Sequence, residues 1–183
     1  MTVAGETPNS LAMSIMPIVL YPDPRLKKVC EPVADPASTA KLVENMLATM
    51  YDAPGIGLAA PQVGVNARVI VMDCTEKDAE PEPIALINPE IIASSEETNE
   101  HEEGCLSIPD QYGMVTRPSE VTVRWLTLDG EEAEAHFDGL WATCVQHEID
   151  HLNGKLFIDY LGSVRRQLIT QKMKKIKRER AKA

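Results

Sequence analysis

A chain of 183 residues with 44% hydrophobic residues has the size and composition of one domain with an ordinary core. It has no run of 18 or more apolar residues, which excludes a membrane-spanning helix. Net charge is -10, and four cysteines without paired spacing, behind no secretory signal, predict a reduced, cytoplasmic compartment rather than a disulfide framework.

The stretch before Met16 is small and polar, with no arginine and Glu6 as its one acid, unlike a transit peptide. Residues 1–15 are expected to form a disordered extension, unless Met13 or Met16 is the natural start. An amphipathic helix is predicted from Thr39 to Asp52, with Leu42, Met46, Leu47 and Met50 on one side. Gly55-Ile56-Gly57-Leu58-Ala59-Ala60-Pro61-Gln62 follows it. This is no dinucleotide fingerprint, because the third glycine is missing and a helix, not a strand, precedes it. It reads either as a helix-stopping loop or as backbone that a substrate can approach closely, with Gln62 as amide donor.

Arg68 to Asp73 reads as a buried strand, and Pro83 to Ala93 as a second apolar run broken by Asn88-Pro89. Val121, Val123 and Trp125 alternate with polar residues, as do Ala133, Ala135 and Phe137. Asp129-Gly130 between them predicts a two-residue hairpin.

Asp138 is placed to cap a helix that carries Gln146-His147-Glu148-Ile149-Asp150-His151, with Gly154 as its stop. Leu140, Cys144, His147 and His151 recur at spacings that put them on one inward face. Two imidazoles one turn apart can converge on a cation, with Glu148 beside them as a general base; a buried hydrogen-bond acceptor is the plainer partner. A catalytic site needs a third ligand. Downstream of His151 there is no histidine, and the carboxylates are Asp159 and Glu179. Upstream, Cys105 lies in the Gly- and Pro-punctuated Glu102-Glu103-Gly104-Cys105-Leu106-Ser107-Ile108-Pro109, where glycine lets backbone come close to whatever a thiolate binds. Cys30, Cys74 and Cys144 read as small buried hydrophobes. From Arg165 to Ala183, nine Lys/Arg stand against a single acid, with Leu168, Ile169, Met173 and Ile176 at near-helical spacing. This is either a solvated helix end or a docking element for ribosomal RNA.

The strings GIGLAAPQ, EGCLS and QHEIDH, in that order, resemble the three signature motifs of peptide deformylase, over about Met16 to Leu161. The resemblance implies an α+β fold in which antiparallel β-sheets wrap around a central helix carrying the HExxH motif, with a C-terminal helix beyond. It divides the chain into a catalytic domain over 16–164 and a basic helix or tail over 165–183. It implies a metal-dependent hydrolase that removes the formyl group from formyl-methionine on nascent polypeptides, releasing formate. Cys105, His147 and His151 are then the metal ligands and Glu148 the acid/base. Gln62 and the Leu106 backbone N–H stabilise the oxyanion; Gly57 and Ile56 contact the peptide; Leu140 and Cys144 wall the methionine pocket. Glu103 and Arg117 brace the site. The family also implies Fe²⁺, with Zn²⁺ or Ni²⁺ as substitutes; the clustered cations of the C-terminal segment fit its need to meet nascent chains at the ribosome, and a monomer is expected. Tyr112 stands where many members carry an arginine. Two rivals are a general metallopeptidase and a ribosome-associated adaptor with a closed structural metal, the latter disfavoured because three ligands do not close a site.

Overall fold

The computed structural model describes residues 13–183. Among these residues lie three α-helices and seven strands. Helix α1 (Ala40–Asp52) buries Val43, Met46 and Met50, with Leu42 and Leu47 flanking, so the predicted apolar side is the packed one. The expected extension over 1–15 lies mostly outside the described residues. Of its last part, the Ser14 N–H donates to Asn45 Oδ1 at 2.9 Å and the following Met16 N–H to Thr49 Oγ1, both on α1.

Strands β1 (Gly57–Ala59), β2 (Val69–Met72), β3 (Ile84–Ser94), β6 (Val121–Leu126) and β7 (Glu132–Phe137) form one antiparallel sheet in the order β1-β2-β3-β6-β7. β2 is apolar at every position because both its faces are covered. Val69 and Val71 enter the cluster against α1, and Ile70 and Met72 enter the cluster against helix α2 (Gly139–Leu152). The side-chain period of two divides one strand between two cores. Strands β4 (Thr98–Cys105) and β5 (Ile108–Pro118) pair separately as a long hairpin, with Leu106 and Ser107 as its turn.

Two expectations are corrected. Asn88-Pro89 does not break the apolar run. β3 continues through it with a shift of register, and Asn88, at φ 50°, exchanges side-chain hydrogen bonds with the Val33 backbone at 2.8 and 2.9 Å. These bonds satisfy both backbone groups of Val33 and tie its segment to β3 at the bulge. The β6–β7 connection is also longer than a two-residue turn. Pairing ends at Leu126 and Glu132, because the Thr127 N–H and hydroxyl engage Glu131 and close the loop locally.

Helix α3 (Ser163–Ala181) is tied to the body of the protein. Ile169 and Met173 are buried with Val19, Tyr21, Leu26 and Phe157, Ile176 is partly covered, and Leu168 stays half exposed. Each buried side chain of this size stabilises by about 1.5–3 kcal/mol, a large share of a typical total of about 5–15 kcal/mol. Truncation after Ser163 would therefore unfold more than a tail. Among the described residues no helix is long and apolar enough to cross a membrane.

Candidate metal centre and its cleft

Asp138 occupies the cap position of α2 without a side-chain cap bond, and Gly154, at φ +72°, ends the helix as the turn requires. The helix is buried along most of its length, which carries His147 and His151 inward. The 4-residue step leaves their rings edge to face, with centroids 5.0 Å apart. β4 delivers Cys105 to the same place, and the Cys105 Sγ lies 3.4 Å from His151 Nε2. The ligand atoms of Cys105, His147 and His151 all lie within 4.8 Å of one another.

This donor set fits a metal ion. His147 Nδ1 is held by Glu103 Oε1 at 2.8 Å, so Nε2 is the nitrogen left for coordination. A carboxylate behind a ligating imidazole is the usual support for such a ring. A thiolate with two imidazoles is one ligand short of a closed tetrahedral structural site. The buried His151 Nδ1 and Glu148 Oε2 have no hydrogen-bond partner among the described residues, so this polar interior is not satisfied by protein alone.

The bracing of the centre extends outward. Arg117 grips Glu103 with two hydrogen bonds, at 2.7 and 2.9 Å, and donates to Asp150 Oδ2 at 2.9 Å. The Tyr160 hydroxyl donates to the same Asp150 oxygen at 2.7 Å, and its ring lies under the Arg117 and Lys155 cations. Burial alone would raise Glu103, but the hydrogen bonds from Arg117 and His147 outweigh it and hold this carboxylate below its usual range. Glu148 differs: burial pushes its carboxyl up to about 7.

The site opens into a cleft of about 550 Å³, lined by Gly57, Gln62, Cys105, Leu106, Cys144 and Glu148 among others. A Cβ on Gly57 would stand 2.6 Å from Glu148 Oε1 and 2.8 Å from Cys144 Sγ, so only glycine lets β1 pass this close. Gln62 is delivered by a one-turn helix, Ala60–Val63, and is 1% exposed. Ile56 and Leu140 also line the cleft but stand half exposed at its mouth, so Leu140 does not share the burial of the α2 face on which it recurs. Cys144 is buried, and its neighbour Cys74, then burial, raise its thiol well above the usual range, as suits a neutral wall. Cys30 and Cys74 are buried as expected. Tyr112 is exposed at the rim, its ring against Gly104. Ten of the anticipated site residues line this cleft; His151 lies behind it within reach of Cys105 and His147, and Arg117 stands behind Glu103. Asp150, Tyr160 and Ser107 were not anticipated. Asp150 and Ser107 lie inside the recognised strings, but their type alone gave no sign of what they touch.

The family model for polypeptide deformylase matches residues 15–167. A peptide deformylase from Mesorhizobium japonicum is 50% identical over 170 residues, 92% of this chain and 97% of that protein. The crystal structure of a peptide deformylase from Ehrlichia chaffeensis in complex with actinonin is 41% identical, with a TM-score of 0.86 over 91% of this chain and 99% of that one. A Met-Ala-Ser-bound peptide deformylase from Acinetobacter baumannii is 38% identical, with a TM-score of 0.77 over 82% of this chain and 100% of that one. The chain therefore belongs to the polypeptide deformylase family, metalloenzymes that hydrolyse the formyl group from peptide N-termini.

Proposed function

We propose that this cleft deformylates formyl-methionine at the start of nascent polypeptides, with Cys105, His147 and His151 holding one Fe²⁺ that Zn²⁺ or Ni²⁺ can replace. The observation that carries the reading is the convergence of three metal donors beside a cleft that a buried carboxyl and a buried amide also line. A bound divalent ion supplies Lewis acidity, polarising the formyl oxygen and lowering the pKa of a water. Glu148 takes the proton of the attacking water and passes it to the leaving amine as the formamide C–N bond breaks. Gln62 Nε2 and the Leu106 N–H donate to the oxyanion as it develops. Gly57 and Ile56 meet the peptide backbone, and Leu140 and Cys144 wall the methionine side chain.

Formate release from a formyl-Met peptide tests this reading directly. Chelator is expected to abolish it, and Fe²⁺, Zn²⁺ or Ni²⁺ to restore it; release unaffected by metal depletion would overturn the assignment. A general metallopeptidase would cleave internal amides of blocked peptides at comparable rates, and the expected result is no such cleavage. The choice of iron rests on a donor set that suits iron as well as zinc. Protein loaded anaerobically with Fe²⁺ is expected to lose activity in air or peroxide while the zinc form persists, because ferrous ion and thiolate are both oxidisable. Iron-loaded activity that survives peroxide would count against a ferrous centre.

We further assign residues 16–164 as the catalytic unit of a cytoplasmic monomer, with 165–183 as a basic helix that meets the ribosome. The support is its charge: Lys172, Lys174, Lys175, Arg178 and Arg180 are exposed, while Ile169 and Met173 face the core. Reversing Lys174, Lys175 and Arg178 to glutamate is expected to weaken ribosome binding by roughly tenfold or more at low salt, with turnover of short formyl peptides unchanged. Co-sedimentation with ribosomes over a salt series measures it, and equal binding would remove this role from the helix.

A further inference from the structure

The chemistry above uses one proton of the Gln62 amide, yet an amide nitrogen carries two. The orientation of the side chain is unambiguous, because Oε1 accepts the Ala59 N–H at 3.0 Å and must therefore be the oxygen. Nε2 then faces two acceptors: Cys105 Sγ at 3.3 Å and Ser107 Oγ at 3.2 Å. Both protons are thus committed, and a substrate oxygen can gain one only by exchange.

The two acceptors are not equivalent. Gln62 and Cys105 line the cleft, whereas Ser107 is outside its lining and fully buried. The proton on Cys105 is therefore the one at the cleft, while the proton on Ser107 points away from the cleft. Ser107 is itself fixed, sitting in the β4–β5 turn with its carbonyl accepting the Tyr21 N–H at 2.9 Å.

We propose that Ser107 is a positioning residue for deformylation: it holds the rear proton of Gln62, so that the front proton passes from the Cys105 sulfur to the oxyanion without rotation of the amide. The backbone of Ala59 and the hydroxyl of Ser107 then pin the amide at opposite corners, and the exchange costs no reorganisation of the side chain. This rests on the reading of Gln62 as an oxyanion donor.

The test is a double-mutant cycle on zinc-loaded protein, comparing the full chain with Ser107→Ala, Gln62→Ala and the pair. Gln62→Ala is expected to keep its zinc and lose roughly 10²–10³ in kcat. Ser107→Ala is expected to lose about tenfold in kcat through a loosened amide, with KM changed by less than about twofold. The double variant is expected to be no slower than Gln62→Ala, because the serine acts only through the glutamine. In ¹⁵N-labelled protein, Ser107→Ala should shift one of the two Gln62 side-chain amide protons upfield and speed its exchange with water, while the melting temperature reports that the fold is kept. Unchanged kcat in Ser107→Ala, or losses that multiply in the double variant, would overturn the positioning role. Full turnover in Gln62→Ala beside a slow Ser107→Ala would instead remove Gln62 from the mechanism, and the proposal with it.

Discussion

Glu148→Gln is expected to keep its metal and lose roughly 10²–10⁴ in kcat. The substitution is nearly isosteric, so the contact with Gly57 survives and the cleft keeps its shape. What disappears is the ability to accept the proton of water. The carboxyl is 4% exposed, and one of its oxygens has no protein partner among the described residues, which is why burial lifts it to about 7. Holding an ionisable group in that state costs stability, so the melting temperature of the metal-loaded variant is expected to stay level or rise. An inactive protein at least as stable as the parent separates a catalytic carboxyl from a structural one. Stopped-flow or coupled formate assays on protein with verified metal content make the measurement, and turnover within a few-fold of the parent would exclude Glu148 as the base.

Arg117→Leu is expected to cost more in stability than any other single change near the site. The guanidinium is 4% exposed, satisfies both oxygens of Glu103 and reaches Asp150. Leucine would leave Glu103 buried without its main partner, a situation that costs about 3–5 kcal/mol. At roughly 2–4 °C per kcal/mol for a chain of this size, the melting point should fall by several degrees to more than ten. A second effect is separate. Without Arg117 the Glu103 carboxyl gains a proton more easily and no longer serves as a charged acceptor for His147. Metal affinity should drop by roughly 10–100-fold. Pairing the change with Glu103→Leu is expected to recover part of the melting point, because no buried charge is stranded, but not the affinity. Parental affinity in Arg117→Leu, measured by chelator competition, would show that the bracing does not reach the metal.

The candidate ligands and the fold class were legible in the sequence because their signals are short-range. His147 and His151 are one helical turn apart, Gly57 and Gln62 lie in one string, and β2 is apolar throughout. What joins Cys105 to the histidines is long-range: a hairpin must fold back onto α2, and spacing alone left Cys105 as one possible ligand. The resemblance to known motifs, not periodicity, placed it. The bracing residues show the limit from the other side. Asp150 sits between the two histidines and Tyr160 beyond them, yet each reaches the site through Arg117, on a strand 33 residues before Asp150. The two misjudged turns failed for a local reason. Asn88 and Thr127 satisfy backbone groups with their side chains, and a residue type does not announce which neighbour it will serve. For α3, composition suggested a tail, but Ile169 and Met173 belong to the core.

The three donors come from two pieces of chain: the end of a separate two-stranded ribbon, and a helix packed against the larger sheet. An ion shared between them acts as a cross-link. Its affinity for the folded state adds to the resistance of the whole protein to unfolding, in proportion to the logarithm of free ion over dissociation constant. Catalytic competence and mechanical cohesion then draw on the same bond, and a cell short of metal would hold an enzyme that is at once idle and easier to degrade.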